Sequence, residues 1–192
     1  IDWFIIGDVS GHGVPAGLIM MMTQTSIHSV IDNNPNLPPD QLLTKVNKTV
    51  TGNIRMLNEN KYMTISVLAK VEDGTFHYSG LHQDLLIFRA ATKKVEAVET
   101  VGMWIGIMDD LTGSLAVDTI KLEIGDILML YTDGVVESVD ANGVMLNNEG
   151  LIKMFESLSD KSAEEIKTGI VKELENYTND DDVTLVVIKR LK

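Results

Sequence analysis

Two hydrophobic periods alternate along this chain, and the places where one gives way to the other predict its elements. Trp3 to Val9 is apolar apart from Gly7 and Asp8 and reads as a strand. Ser10-Gly11-His12-Gly13 follows as a tight glycine turn, and Val14-Pro15 opens a helix, since proline is tolerated in a first helical turn. That helix is expected to run to about Asn33. Leu18, Ile19, Met20, Met21 and Met22 are apolar all round, which predicts that its first half is core, buried on more than one side. After the break at Asn34-Pro35, a second helix is expected from Asp40. Leu42, Val46, Val50, Ile54 and Leu57 make its buried stripe, and Gly52 predicts a soft end at a cost of roughly 1 kcal/mol relative to alanine.

Strands dominate the middle. Met63, Ile65, Val67 and Ala69 alternate with Thr64, Ser66, Leu68 and Lys70, a period of two. Asp73-Gly74 predicts a hairpin turn, with Phe76 to Ser79 as the return strand. Leu85 to Arg89 and Val95 to Val98 are expected to pair across Ala91-Thr92-Lys93-Lys94. Val117 to Leu122 and Ile127 to Tyr131 are expected to pair across Glu123-Ile124-Gly125-Asp126. The continuous apolar run from Ile127 to Leu130 predicts a central strand covered on both faces. A helix over about Asn148 to Leu158 comes next. Another starts at Ser162, where Glu165 completes a capping box, and its stripe is Ile166, Ile170, Leu174 and Tyr177. Asp182 to Ile188 is expected as the last strand. Antiparallel hairpins exclude a doubly wound parallel sheet, so the fold class is α+β, two mainly antiparallel sheets flanked by helix pairs.

Composition narrows the function. The length of 192 residues suits one domain over 1–192 with a full core. With 28 acidic against 16 basic residues the net charge is −12, which argues against a nucleic-acid surface. No run approaches the ~18 apolar residues of a membrane span, so no direct membrane insertion is expected. There is no cysteine, which removes disulfide scaffolds and thiolate metal sites. The chain opens at Ile1-Asp2-Trp3 inside a strand pattern, and the expectation is a piece of a longer protein.

Three acidic motifs stand at the boundaries of apolar runs: Gly7-Asp8-Val9-Ser10-Gly11-His12-Gly13, Tyr131-Thr132-Asp133-Gly134-Val135 and Asp180-Asp181-Asp182-Val183-Thr184. Taken singly, each is equally a strand-to-helix turn, an Asp-Gly turn or a solvated loop. Together, Asp8, Asp133 and Asp181 would make a carboxylate cluster, costly unless cations neutralise it, and oxygen-only ligands select Mg²⁺ or Mn²⁺. Hard oxygen sites rarely need imidazole, so His12 is expected to support the site or the turn, and His82 to support the fold. Ser10 lies too close in chain to His12 to imply a nucleophile and its base, so no catalytic triad is expected.

These motifs, Asp8 to Ala16, Tyr131 to Ser138 and Asp181 to Val187, resemble the sporulation and stress-phosphatase (SpoIIE/RsbU) branch of the PP2C superfamily of protein phosphatases. The likeness extends through Asn47 and Gly125-Asp126. It implies an αββα sandwich and a serine/threonine phosphatase using two Mn²⁺ or Mg²⁺ ions. Mapped by motif, Asp8 would bridge the two metals, the Val9 carbonyl would hold the second, and Asp133 and Asp181 would hold the first. His12, Gly134 and Asp182 would support that set. The implied substrate is a phosphorylated regulatory protein, an anti-sigma-factor antagonist of the STAS type. The implied partner is an N-terminal sensor or regulatory domain, with the domain in the cytoplasm. A Gly-Gly-Asp strand is expected upstream of Ile1 and would add one metal ligand. Gly80-Leu81-His82-Gln83-Asp84 departs from the Ala-Gly-His-Pro of many relatives, which puts a loop shape in question. The rival reading is a non-catalytic module of the same fold that binds a partner without turnover.

Overall fold

The computed structural model describes residues 1–192. In chain order the elements are β1 (Asp2–Val9), α1 (Val14–Asn33), α2 (Pro39–Met56), β2 (Met63–Glu72), β3 (Thr75–Leu81), β4 (Leu85–Arg89) and β5 (Lys94–Val98). They continue with β6 (Asp118–Lys121), β7 (Ile127–Tyr131), α3 (Asp133–Val136), β8 (Val139–Asp140), α4 (Asn147–Leu158), α5 (Ala163–Leu174), β9 (Tyr177–Thr178) and β10 (Leu185–Lys189). The chain forms two compact units, one of residues 1–82 with 100–121 and one of residues 83–99 with 122–192.

The first unit is an antiparallel sheet ordered β1-β2-β3-β6 with α1 and α2 packed on it. The stripe read from α2 is its core face as far as Ile54, with Leu57 the exposed C-cap beyond the helix: Leu42, Val46 and Val50 are fully buried, and Ile54 nearly so. Each such side chain is worth roughly 1.5–3 kcal/mol relative to exposure. That burial outweighs the helix cost of Gly52, and α2 runs on through it to Met56. β2 is buried on both faces, since Ser66 and Leu68 are as inaccessible as Ile65 and Val67. Its period of two therefore does not separate a wet face from a dry one.

α1 corrects an expectation. Only one side of its first half is core, with Ile19 fully buried, while Leu18, Met20 and Met21 are 44%, 47% and 60% exposed. A single packed layer of α2 and the sheet can cover one stripe of a helix, not its whole circumference.

The second unit is an antiparallel sheet ordered β10-β7-β4-β5, with α4 and α5 against it and a two-stranded β8-β9 ribbon beside them. All five residues of β7 are buried, as the apolar run predicts for an inner strand. The capping box at Ser162 and Glu165 forms as read, and Ile166 and Ile170 are fully buried.

Three further boundaries differ from the reading. β6 and β7 do not pair as a hairpin: β6 joins β3 in the first sheet, and β7 lies between β10 and β4 in the second. The intervening turn is instead held by Asp126, which accepts from Ala90 N, Glu123 N and the Arg89 guanidinium. Tyr177 belongs to β9, because α5 ends at Leu174. β10 starts at Leu185, since the backbone of Asp182 and Thr184 is taken up by Thr132.

Candidate functional site

In the first unit, pairing with β2 brings Asp8 to the last rungs of β1, with Asp8 opposite Thr64 and Val9 opposite Met63. Val9 is buried and anchors the strand end, while Asp8 is half-buried. The Thr64 hydroxyl lies 3.4 Å from the Asp8 carbonyl and 2.8 Å from His82 Nδ1. His82 is tied to Thr100 in both directions: its N–H donates to the Thr100 hydroxyl, which donates back to the His82 carbonyl at 2.6 Å. The fold-supporting role read for His82 is what these bonds describe. Gly7 admits the close approach of β2, where a Cβ would meet the Thr64 carbonyl oxygen at 2.5 Å.

Beyond Val9 the chain turns through Gly11 and Gly13 at φ +72° and +87°, values that favour glycine. Ser10 is the fixed point of that turn. Its N–H donates to the Tyr62 carbonyl, its hydroxyl accepts from Tyr62 N, and its carbonyl accepts from Lys61 Nζ at 2.8 Å. His12 is exposed at the tip.

In the second unit, β7 ends at Tyr131, Thr132 alone separates it from α3, and Asp133 is the first residue of that short helix. Thr132 laces the two acidic loops together. Its hydroxyl donates to the Asp182 carbonyl and accepts from Thr184 N, and its own N–H donates to the Thr184 carbonyl. Gly134 lies against the same loop: a Cβ there would stand 2.5 Å from the Asp182 carbonyl oxygen and 3.3 Å from that of Asp181. Asp133 and Asp181 are thus carried by two segments in direct backbone contact. One Asp133 oxygen accepts from Gly134 N, and one Asp181 oxygen accepts from Asp182 N. Asp180, Asp181 and Asp182 are exposed.

Two residues earlier on β7, the Tyr131 phenol is buried and lies near the charge of Asp84, and both effects push its pKa up. It stays protonated and donates to Asn148 Oδ1 at 3.0 Å.

Sequence reading passed over Thr132, Lys61, Tyr62, Thr64 and Ser138. Thr132 and Ser138 sit inside the motif Tyr131 to Ser138, and the Ser138 hydroxyl donates to the Gly134 carbonyl at 2.7 Å. A threonine before an Asp-Gly helix start is a capping signal, although this one bonds across to another loop rather than down its own helix. Lys61 and Tyr62 carry no local signal, because their partner lies 51 and 52 residues away in sequence.

Residues 3–191 match the family model described as stage II sporulation protein E (SpoIIE). The phosphoserine phosphatase RsbU of Bacillus subtilis is 27% identical over 190 residues, covering 96% of this chain and 54% of that protein. The chain thus spans about half the length of the curated relative it matches. Among solved structures, the SiaA PP2C domain of Pseudomonas aeruginosa superposes with a TM-score of 0.81 at 18% identity, covering 97% of this chain and 75% of that one. The RsbU and RsbW domains of a Mycobacterium tuberculosis protein give 0.75 at 21%, covering 98% and 51%. The PP2C domain of Bacillus subtilis SpoIIE, solved with a fragment of its regulatory domain, gives 0.71 at 18%, covering 97% and 54%. With a family match along nearly its whole length, the chain belongs to the SpoIIE family, and its fold is that of these PP2C domains.

Proposed function

We propose that this domain hydrolyses phosphoserine or phosphothreonine on a regulatory protein, with divalent cations held by Asp8, the Val9 carbonyl, Asp133 and Asp181. The observation that carries the reading is the donor set: Asp8 closes β1 in the first unit, and in the second Asp133 and Asp181 stand on two segments in direct backbone contact. Carboxylates gathered about one site repel one another, so the set calls for a counter-cation. All donors are hard oxygens and no thiolate exists in the chain, which suits Mn²⁺ or Mg²⁺. When bound, such ions lower the pKa of water and neutralise charge on phosphoryl oxygens. The residues divide the remaining work. β1 and the start of α3 hold Asp8 and Asp133 on ordered elements, and Thr132 fixes the Asp181 loop against Gly134. His12, Gly134 and Asp182 support the turns that carry the ligands.

The substrate we infer is a phosphorylated anti-sigma-factor antagonist of the STAS type, and the partner a regulatory or sensor domain joined N-terminally, in the cytoplasm. Support comes from the relative named phosphoserine phosphatase and from the neighbour that carries RsbU and RsbW domains in one protein. No helix of the chain is long and apolar enough to cross a membrane.

The test is phosphate release from such a phosphoprotein by the full-length protein. Mn²⁺ should support turnover, and Asp133→Asn should abolish it by weakening both metal affinity and charge neutralisation. Turnover in excess EDTA, or full activity of Asp133→Asn, rejects the metal reading. Stoichiometric partner binding without phosphate release makes the domain a binding module.

A further inference from the structure

We propose that Lys61 and Tyr62 form a clasp, backed by Trp104, that positions the Val9–Ser10 peptide and so sets the affinity of the metal site. The proposal rests on the reading of Asp8 and Val9 as ligands given above.

The β1–β2 ladder ends at Val9 and Met63, and the next residues lead into an exposed glycine turn. Left to themselves, strand ends and glycine turns are mobile. Here every polar group of Ser10 is engaged by two successive residues: Ser10 N–H by the Tyr62 carbonyl at 2.9 Å, Ser10 Oγ by Tyr62 N at 3.0 Å, and the Ser10 carbonyl by Lys61 Nζ at 2.8 Å. The use made of Lys61 is informative. In a chain with 28 acidic and 16 basic residues, its ammonium makes no ion pair and is spent on a backbone carbonyl. Gly11 makes room for it, since a Cβ there would lie 2.9 Å from Nζ. The glycine after Ser10 thus serves both the turn, at φ +72°, and the lysine.

The clasp is itself held. The Tyr62 ring stacks on Trp104, with centroids 4.5 Å apart and planes at 15°. Ile105 exchanges both backbone bonds with Met63, at 2.9 Å each. Gly106 N donates to Asn47 Oδ1, and the Met108 carbonyl accepts from Asn47 Nδ2 and the Thr51 hydroxyl. Asn47 and Thr51 are buried on α2, so a fixed helix backs the stack, the stack backs Tyr62, and Tyr62 holds Ser10. Lys61, Tyr62 and Trp104 touch no reacting atom; they are positioning residues.

Outer partners of metal ligands typically set affinity by about 10–100-fold. Lys61→Met in the full-length protein should therefore weaken Mn²⁺ binding, followed by titration calorimetry, by about that factor. The melting temperature without metal should stay close to wild type. Raising Mn²⁺ should restore kcat, because the defect lies in occupancy and not in chemistry. Lys61→Arg, which keeps a cationic donor, and Trp104→Phe, which keeps a stacking ring, should bind nearly as wild type, whereas Trp104→Ala should behave like Lys61→Met. If the wild type binds Mn²⁺ and Lys61→Met binds it equally well, or loses affinity only in step with its folded fraction, the clasp is overturned alone. If the wild type binds no Mn²⁺, the metal reading is overturned and the clasp with it.

Discussion

A single methyl group is enough to test the second half of the candidate site. Gly134 lies so close to the Asp181–Asp182 backbone that a Cβ would meet the Asp182 carbonyl oxygen at 2.5 Å. That neighbour is backbone and is itself bonded to Thr132, so it cannot swing aside as a side chain would. Gly134→Ala should therefore displace the Asp181 loop and cost about 1–3 kcal/mol of stability. Its larger effect should be on Mn²⁺ affinity, which is to be measured in the same protein that still folds. Thr132→Val keeps the volume and removes the hydroxyl bonds to Asp182 and Thr184. It leaves Thr184 N without its acceptor, at about 1–3 kcal/mol, and calorimetric melting checks the loss. The carboxylates were readable at this scale because each stands in a short local motif. Thr132 acts across 50 residues of sequence, and no local spacing announces such a bond.

At the scale of elements, the turn from Glu123 to Asp126 shows how a hairpin signal misleads. Apolar run, turn residues and apolar run read as a hairpin, yet β6 and β7 lie in different sheets. The deciding interaction is long-range. Asp126 is almost inaccessible, and burial alone would raise its pKa, but the N–H groups of Ala90 and Glu123 and the Arg89 guanidinium outweigh burial and hold it below the ordinary carboxylate value. A depressed folded pKa means that the ionised group contributes stability above the unfolded value, near pH 4, and that this contribution fades as pH falls through the folded value. Asp126→Asn should therefore be less stable at neutral pH and should lose less on acidification to pH 3 than the wild type does. Denaturant titrations at both pH values give the comparison. Asp126→Ala, which removes one of the two carboxylate partners of Arg89 and leaves two backbone donors unmet, should cost about 1–3 kcal/mol. Elsewhere the elements followed their local rules. The stripe of α2, the capping box of α5 and the inner strand β7 were all legible, because amphipathic period, cap chemistry and apolar runs are local properties. α1 was misread because composition alone does not say how many sides of a helix its neighbours can cover.

For the whole molecule, the net charge of −12 and the donor set make a joint prediction. A ligand that binds only the folded state stabilises it by about 2.7 kcal/mol at 100 times its Kd. In a domain of this size that shift is about 5–10 °C. Mn²⁺ should raise the melting temperature by this order, and Asp133→Asn should erase most of the rise. Potassium chloride at equal ionic strength should give a smaller gain, common to both proteins, through screening of the overall repulsion.

β1 has one further consequence. Within residues 1–192 it is the outer strand of its sheet, eight residues long, and its outer edge carries neither proline nor lysine. Only the acids near its two ends, Asp2 and Asp8, carry charge. Protein edges are normally blunted to stop them templating on one another, and Trp3 to Ile6 has no such guard. Prepared alone and concentrated, this stretch of chain should therefore stick to itself strand against strand. Sedimentation of residues 1–192 should show mass rising with concentration, an outcome set by four residues that hold no candidate ligand.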